Sequence, residues 1–193
     1  LERYGMAAYK VASADLTNHD LLKALARTGK PLICSTGMSM EREIIDSVSL
    51  LKRLNAPYIL LHCNSTYPAP FKDVNLSYLD HLKEIGDCLV GYSGHERGIA
   101  VAIAAASRGA KVIEKHITLD RGMEGNDHRV SLLPAEFKAM VQGIREVEQA
   151  MGNAQERRLS QGELMNREVL GKSLVTNRDL KPGEIITEDM IEV

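Results

Sequence analysis

The 193-residue sequence lacks a large net charge of either sign, because 24 Lys and Arg residues oppose 26 Asp and Glu residues, for a formal charge of −2. Without a cationic field to hold a phosphate backbone, general nucleic-acid binding is disfavoured. Long apolar runs are missing too. The longest, residues 99–106, is far shorter than the roughly 20 residues that cross a bilayer. We therefore expect neither nucleic acid nor membrane among the partners.

Two further absences bear on the cellular compartment. Residues 1–4 lack the basic-then-apolar layout of a signal peptide, and the first residue is Leu, so we expect the natural start to lie upstream. The cysteines are few, odd in number and widely spaced: Cys34, Cys63 and Cys88. This usage fits a reducing cytoplasm better than a disulfide framework. The sequence thus predicts a cytoplasmic protein of ordinary globular composition.

The sequence contains one unit repeated five times: a short apolar segment that ends in polar residues, followed by an amphipathic helix. Apolar runs of this kind are typical of parallel strands buried on both faces, with one crossover helix each. The predicted strands are 7–13, 31–37, 58–63, 88–93 and 111–116. The predicted helices are 19–27, 40–54, 76–85, 99–108 and 134–151.

Five β-α units in a row imply an α/β fold with a parallel sheet and right-handed crossovers. Two layouts remain open: a doubly wound sheet and a (β/α)₈ TIM barrel. No Gly-rich phosphate loop follows any strand, which weakens the nucleotide-binding open sheet. Polar residues end every strand, where barrels place their sites, so the pattern favours a barrel. A full barrel has eight units, and five units would be an incomplete one.

Composition changes after Gly152. Residues 153–170 are polar and highly charged, and we interpret them as a linker, for which a helical conformation is left open. Two short strands are predicted at 172–176 and 185–187, with a turn between them. About twenty residues cannot close a core of their own, so residues 171–193 are predicted to open a second domain. The expected boundaries are therefore 1–152, 153–170 and 171–193.

Several side chains at the predicted strand ends could carry chemistry. His95 and His116 follow consecutive strands, and two imidazoles with open positions beside them suit a catalytic divalent metal; hydrogen-bonded structural histidines are the alternative. Cys34 and Cys63 lie in apolar runs and are expected to be small buried residues rather than nucleophiles. Lys115 would suit Schiff-base chemistry in a barrel aldolase or lyase, unless it is solvated or paired with neighbouring Glu114.

Hydroxyl groups recur at one strand end after another. Several hydroxyls and the amine of Lys10 converging on a pocket would suit a phosphate or carboxylate, although each hydroxyl by itself could be a helix cap or turn residue. The loop 120–128 is glycine-rich and charged, so we expect it to be exposed at the mouth of the site. The hydroxyl residues are Ser13, Ser35, Thr36, Ser65, Thr66, Tyr67 and Ser93.

Taken in order, these segments resemble the N-acetylneuraminate (sialic acid) synthase family. The matching segments are 9–13, 35–38, 62–68, 91–96, 113–120, 125–128 and 131–132. Residues 171–175 and 181–184 look like the start of the family's C-terminal antifreeze-like (SAF) domain. The resemblance implies a (β/α)₈ TIM barrel, of which this chain holds strands 4–8, joined to a β-rich SAF domain in a domain-swapped homodimer.

The resemblance also implies an activity: condensation of phosphoenolpyruvate with N-acetylmannosamine, or its 6-phosphate, with release of phosphate. Mn²⁺ or Mg²⁺ would act as a Lewis acid on the sugar aldehyde. His95 and His116 match the metal ligands, and Tyr67 and Asp127 match contacts to the acceptor sugar. We place His95, His116 and Tyr67 as catalytic. The residues that match phosphoenolpyruvate contacts are Lys10, Ser13, Ser35, Ser65, Tyr67 and Ser93.

The chain also departs from the family pattern. Gly94 stands where many bacterial members have Asp; this is similar to the animal-type branch and leaves the acceptor sugar open. Ser65 stands where some members have Asn. The family's first three strands, with a catalytic Glu and a phosphate-binding Lys, have no counterpart in these 193 residues, and neither has the SAF-domain Arg. The alternatives are a Schiff-base lyase using Lys115, or a fragment without activity by itself.

Overall fold

The computed structural model describes residues 2–193. Five parallel strands form one sheet in the order of the chain. They are β1 Tyr9–Val11, β2 Leu32–Ser35, β3 Tyr58–Cys63, β4 Val90–Gly94 and β5 Ile113–Lys115. The helices of this unit are α1 His19–Ala26, α2 Glu41–Arg53, α3 Phe71–Val74, α4 Tyr78–Gly86, α5 Ala100–Ser107 and α6 Pro134–Met151. A curled sheet of sequential parallel strands with helical crossovers is a half-barrel, since a doubly wound sheet reverses its strand order.

The strands and helices predicted for the half-barrel agree with the structure in type and order. The third strand, 58–63, matches β3 at both ends, and the other strands are shorter than predicted. The short helix α3 was missed, because four residues are too few to show a helical period. It ends at Asn75, whose left-handed backbone (φ 48°) separates it from α4.

The core lies between the sheet and its helices. Leucines from helices and strands alike are excluded from solvent, among them Leu22, Leu51, Leu60 and Leu79. Asn18 accepts a hydrogen bond from the backbone of Leu21 and so caps α1, as a polar residue at this position should. None of the helices within residues 2–193 combines the length and the apolar character that a bilayer crossing needs.

Residues 153–193 form a second compact unit. The segment predicted as a linker contains helix α7 Gln161–Leu170, and Ser160 caps it by accepting from the backbone of Glu163. Strand β6 Val175–Thr176 lies within the predicted strand 172–176, but its antiparallel partner is β7 Ile191–Glu192. The strand predicted at 185–187 is wrong, since the partner of β6 lies at 191–192 instead. A two-residue strand shows no alternation that could locate it in the sequence. The SAF assignment stays a prediction.

Within the described residues, β1 pairs with β2 alone and β5 with β4 alone. Open parallel edges are templates for association. We expect the 193 residues expressed alone to aggregate or remain partly molten and to be inactive, which size-exclusion chromatography with light scattering and an assay of phosphate release would measure. A monodisperse, cooperatively melting, active species would contradict this expectation.

Candidate active site

A polar cleft of about 390 Å³ lies where the strands of the half-barrel end. Every catalytic, binding or metal-site residue that the resemblance implied lines it except Asp127, together with Glu114, Cys63, Met38 and two alanines that were not predicted as site residues. Of the hydroxyl candidates, Thr36 and Thr66 line a different recess. The residues that line the cleft are Lys10, Ala12, Ser13, Ala14, Ser35, Met38, Cys63, Ser65, Tyr67, Ser93, His95, Glu114 and His116. The parallel arrangement brings these side chains together because the carboxyl ends of all five strands meet at one edge of the sheet.

One side of the cleft carries an amine and several hydroxyls. Lys10 donates to the carbonyl of its neighbour Val11 at 3.0 Å, and its Nζ lies 3.7 Å from Oε1 of Glu114. Ser93 donates to the same carboxylate at 2.9 Å. Glu114 therefore connects the first and fourth strands of the cleft. The pattern could have revealed it, because Glu114 and His116 are two residues apart and share a strand face.

Ser35 is the exception among the hydroxyls. Its Oγ is buried and has no hydrogen-bond partner in the described part of the chain. Leaving a buried polar group unpaired costs about 1–3 kcal/mol, and most buried polar groups in native proteins are paired. A ligand oxygen in the cleft would provide the missing partner.

The two histidines lie side by side, with ring centroids 5.2 Å apart. Nδ1 of His95 donates to the carbonyl of Asn64 at 2.7 Å, since a carbonyl can only accept. Nε2 therefore keeps its lone pair in the neutral ring, and the hydroxyl of Tyr67 lies 3.0 Å from it. A backbone carbonyl that holds one ring nitrogen in this way is the usual support of a metal-binding histidine.

Burial and neighbouring groups shift the pKa values of the cleft residues in opposite directions. Burial disfavours the charged form of His95, but its hydrogen bonds with Cys63 and the Asn64 carbonyl outweigh burial and raise the pKa. Burial and the neighbouring charge of His95 lower the pKa of His116, which favours the neutral, metal-binding form. Burial raises the pKa of Tyr67, with further contributions from nearby acidic groups, so its phenol keeps a proton to donate.

The two cysteines predicted to be small buried residues are both buried, but they lie in different surroundings and their thiol pKa values shift in opposite directions. Cys34 is in the core, and burial raises the pKa of its thiol to about 12. Cys63 lies in the cleft wall, with its Sγ 3.6 Å from Oγ of Ser13 and 3.7 Å from Nδ1 of His95. Burial opposes ionisation of Cys63, yet hydrogen bonds with His95 and Ser13 outweigh it and lower the pKa.

The residues of the cleft fit an open divalent-metal site. In the neutral ring of His95, Nε2 carries the lone pair, and the imidazole of His116 is adjacent. Within residues 2–193 no group of three His, Cys, Asp or Glu side chains converges on one point. Two imidazoles leave most of the coordination sphere to water and substrate, as a catalytic site requires.

Asp127 lies outside the cleft, in the exposed loop that the sequence predicted. It lines a neighbouring recess together with Tyr67, which faces both spaces. Its Oδ2 is 3.8 Å from Nδ1 of His116. The structure thus places Asp127 beside the second histidine, and its contact with an acceptor sugar stays a prediction.

Lys115 does not line the cleft. Its side chain is only 1% exposed, and Nζ donates to the carboxylate of Glu96 at 2.9 Å and to the Glu96 carbonyl at 2.6 Å. The ion-pair partner is thus Glu96 and not Glu114. The Schiff-base alternative lacks the accessible amine that it requires, because alternation along β5 turns Lys115 away from the face that carries Glu114.

The half-barrel with a polar cleft at its strand ends defines the class: a TIM-barrel-like α/β protein. The NeuB family model matches residues 1–156. The chain is 42% identical to the N,N'-diacetyllegionaminic acid synthase of Campylobacter jejuni over 193 residues, which cover 97% of this chain and 57% of that relative. It is 39% identical to the human N-acetylneuraminate-9-phosphate synthase, over 100% of this chain and 54% of that relative.

The structure is similar to a crystal structure of N-acetylneuraminic acid (sialic acid) synthetase from Leptospira borgpetersenii in complex with citrate. The TM-score is 0.78 at 35% identity, covering 90% of this chain and 61% of that one. This chain belongs to the NeuB family, and the resemblance to sialic acid synthases is confirmed. It spans little more than half the length of the curated relatives that it matches.

Proposed function

We propose that the protein is a nonulosonic acid synthase that condenses phosphoenolpyruvate with N-acetylmannosamine or its 6-phosphate and releases phosphate. The observation that carries the proposal is a single cleft that holds a lysine, an unpaired buried serine hydroxyl and two adjacent histidines. Lysine and hydroxyls suit an anionic substrate, and the histidines suit a divalent cation. The names of the relatives support the product class.

In this proposal Lys10 and the serine hydroxyls bind phosphoenolpyruvate and hold it in one orientation. Fixing two reactants in attack geometry removes a large entropic share of the barrier. Ser35 gains the hydrogen-bond partner that it lacks. The contact residues are Lys10, Ser13, Ser35, Ser65, Tyr67 and Ser93.

Bond formation joins C3 of phosphoenolpyruvate to the aldehyde carbon of the open-chain sugar. A Mn²⁺ or Mg²⁺ ion held by His95 and His116 would polarise the aldehyde as a Lewis acid. The C2–C3 π electrons form the new bond, and positive charge develops at C2 of phosphoenolpyruvate. Water adds at C2, the bond from C2 to the phosphate oxygen breaks, and the two protons of that water go to the former aldehyde oxygen and to the leaving phosphate. Glu114 places a carboxylate in the cleft wall beside Lys10 and Ser93, where its negative charge would favour charge development at C2. Tyr67 and Asp127 would contact the sugar.

The test is phosphate release by the full-length protein, measured with phosphoenolpyruvate and a panel of N-acetylated hexosamines and their 6-phosphates. The assay is run before and after chelation of divalent metal. Metal-dependent release with one of these sugars would support the proposal. Borohydride trapping of a substrate imine would overturn it in favour of a lyase. We also propose a cytoplasmic, homodimeric protein, for which the three free thiols and the family resemblance are the support.

Lys10→Ala is expected to weaken phosphoenolpyruvate binding. Losing one charge-assisted contact to an anion costs about 1.5–3 kcal/mol, which is roughly a ten- to hundredfold rise in KM. Lys23→Ala is the matched control, because Lys23 pairs with Asp20 on the surface of α1. An unchanged KM and kcat in Lys10→Ala would show that Lys10 does not contact the substrate.

Gly37→Ala is expected to displace two serine hydroxyls of the cleft, those of Ser13 and Ser65. A Cβ at Gly37 would lie 2.2 Å from Oγ of Ser65 and 2.8 Å from Oγ of Ser13, so both hydroxyls must move. We expect KM for phosphoenolpyruvate to rise about tenfold, the loss of one hydrogen bond to a charged group, with little change in melting temperature. Gly162→Ala is the control, since open space surrounds Gly162. Equal KM values in both variants would contradict this prediction.

A further inference from the structure

Glu96 and Lys115 form an ion pair, and each is the sequence neighbour of a cleft histidine. Glu96 follows His95, and Lys115 precedes His116. The two side chains are 0% and 1% exposed. Lys115 Nζ reaches both the carboxylate and the backbone carbonyl of Glu96, at 2.9 Å and 2.6 Å. The hydroxyl of Tyr92 donates to the second carboxylate oxygen at 2.6 Å. The pair is thus fully hydrogen-bonded on the carboxylate side.

The pair begins where the sheet stops. Pairing between β4 and β5 ends at Gly94 opposite Lys115, so no further β4–β5 pairing holds the backbone of His95 and Glu96. The contact from Lys115, the last paired residue of β5, to the carbonyl of Glu96 links the two segments beyond the end of the β4–β5 pairing. This bond and the carboxylate bond connect the backbone that carries one histidine to the backbone that carries the other.

Stability alone does not explain such a pair. The desolvation of two buried charges offsets most of their attraction, and well-packed apolar residues often stabilise a fold as well or better. Space around the pair is also restricted. A Cβ at Gly94 would lie 2.7 Å from a carboxylate oxygen of Glu96 and 2.7 Å from the Tyr92 ring. The absence of a side chain at Gly94 therefore leaves the space that the Glu96 carboxylate and the Tyr92 ring occupy.

We propose that the Glu96–Lys115 ion pair is a positioning element that sets the separation of the His95 and His116 rings for a shared divalent cation. The inference rests on the proposed function, because it requires a cation at the two histidines. Neither Glu96 nor Lys115 lines the cleft. Their effect on the metal is exerted through the backbone of the adjacent histidines.

The test compares the unsubstituted full-length protein with the double variant Glu96→Gln/Lys115→Met. This variant removes both charges together, and the glutamine oxygen can still accept from the Tyr92 hydroxyl. Mn²⁺ binding is measured by electron paramagnetic resonance of the free ion, and Co²⁺ absorption in the visible range reports the ligand geometry. We expect Kd for Mn²⁺ to rise about ten- to hundredfold, as for other supports of metal ligands, with a changed Co²⁺ spectrum and a cooperative melt.

The control is Asp80→Asn/Arg108→Met, which removes an ion pair between α4 and the residue that follows α5. Neither residue lines the cleft. This control should leave the Kd for Mn²⁺ and the Co²⁺ absorption spectrum unchanged. Unchanged values in the Glu96–Lys115 variant would overturn the positioning role while leaving the metal site in place. If the intact protein binds no Mn²⁺, or if His95→Ala binds it equally well, both this inference and the metal-dependent function fail.

The single variant Glu96→Gln is a second test beside the double variant, and its Kd is interpreted only if it melts cooperatively, because it leaves the Lys115 ammonium buried without a counter-charge. Glutamine keeps the size of the side chain and one oxygen acceptor, and it removes only the charge. We expect a rise in Kd for Mn²⁺ of about tenfold, the lower end of the range for supporting residues. An unchanged Kd and an unchanged Co²⁺ spectrum in this folded variant would likewise overturn the positioning role.

Discussion

His95→Ala and His116→Ala are each expected to abolish metal-dependent turnover in the intact protein. Each variant removes one of two imidazoles whose rings lie 5.2 Å apart in the cleft. With one ring left, the protein offers a single nitrogen donor, and the cation would be lost at working concentrations. We expect kcat/KM to fall at least about a thousandfold, which corresponds to about 4 kcal/mol of transition-state stabilisation.

Phosphate release and Mn²⁺ binding measure the two parts of this prediction separately. His81→Ala is the matched control, because His81 is an exposed histidine that contacts Glu41 and Glu84 and does not line the cleft. It should retain wild-type rates. Full activity of both cleft variants after chelation would disprove the metal role of His95 and His116 and would leave the cleft as an anion-binding site only.

Lys115→Ala is expected to have the largest effect on stability. The substitution leaves the Glu96 carboxylate fully buried without its cationic partner, and breaking a buried ion pair in this way costs about 3–5 kcal/mol. Denaturant unfolding of the intact protein would measure the loss as a lower midpoint. The double variant Glu96→Gln/Lys115→Met should lose much less, because it leaves no unpaired buried charge.

Arg145→Ala is the control for this prediction. Arg145 pairs with Glu148 on the exposed face of α6, and surface pairs contribute about 0–1 kcal/mol. A loss below about 1 kcal/mol in Lys115→Ala would contradict the prediction. It would mean that water or another donor replaces the ammonium group beside Glu96.

The order and type of the elements in the half-barrel could be predicted because they depend on local patterns. Strand β3 was located to the residue from its apolar run, and α6 from the period that begins at Pro134 and ends at Met151. Helix α3 and strand β7 could not be located. They have four and two residues, too few for any period to appear, whereas the equally short strands β1 and β5 lie inside longer apolar runs.

By itself, the sequence determined at which edge of the sheet the polar side chains gather, because parallel strands bring their carboxyl ends to one edge whatever the details of packing. It predicted Lys10, Ser35, His95 and His116 at this edge, and all four line the cleft, while their roles stay predictions. Only the tertiary structure decided the partners. Glu96 reaches Lys115 across 19 residues of chain, and Glu114 reaches Ser93 across 21. Local sequence does not encode such distances, since they depend on how two strands align and on which face each side chain occupies.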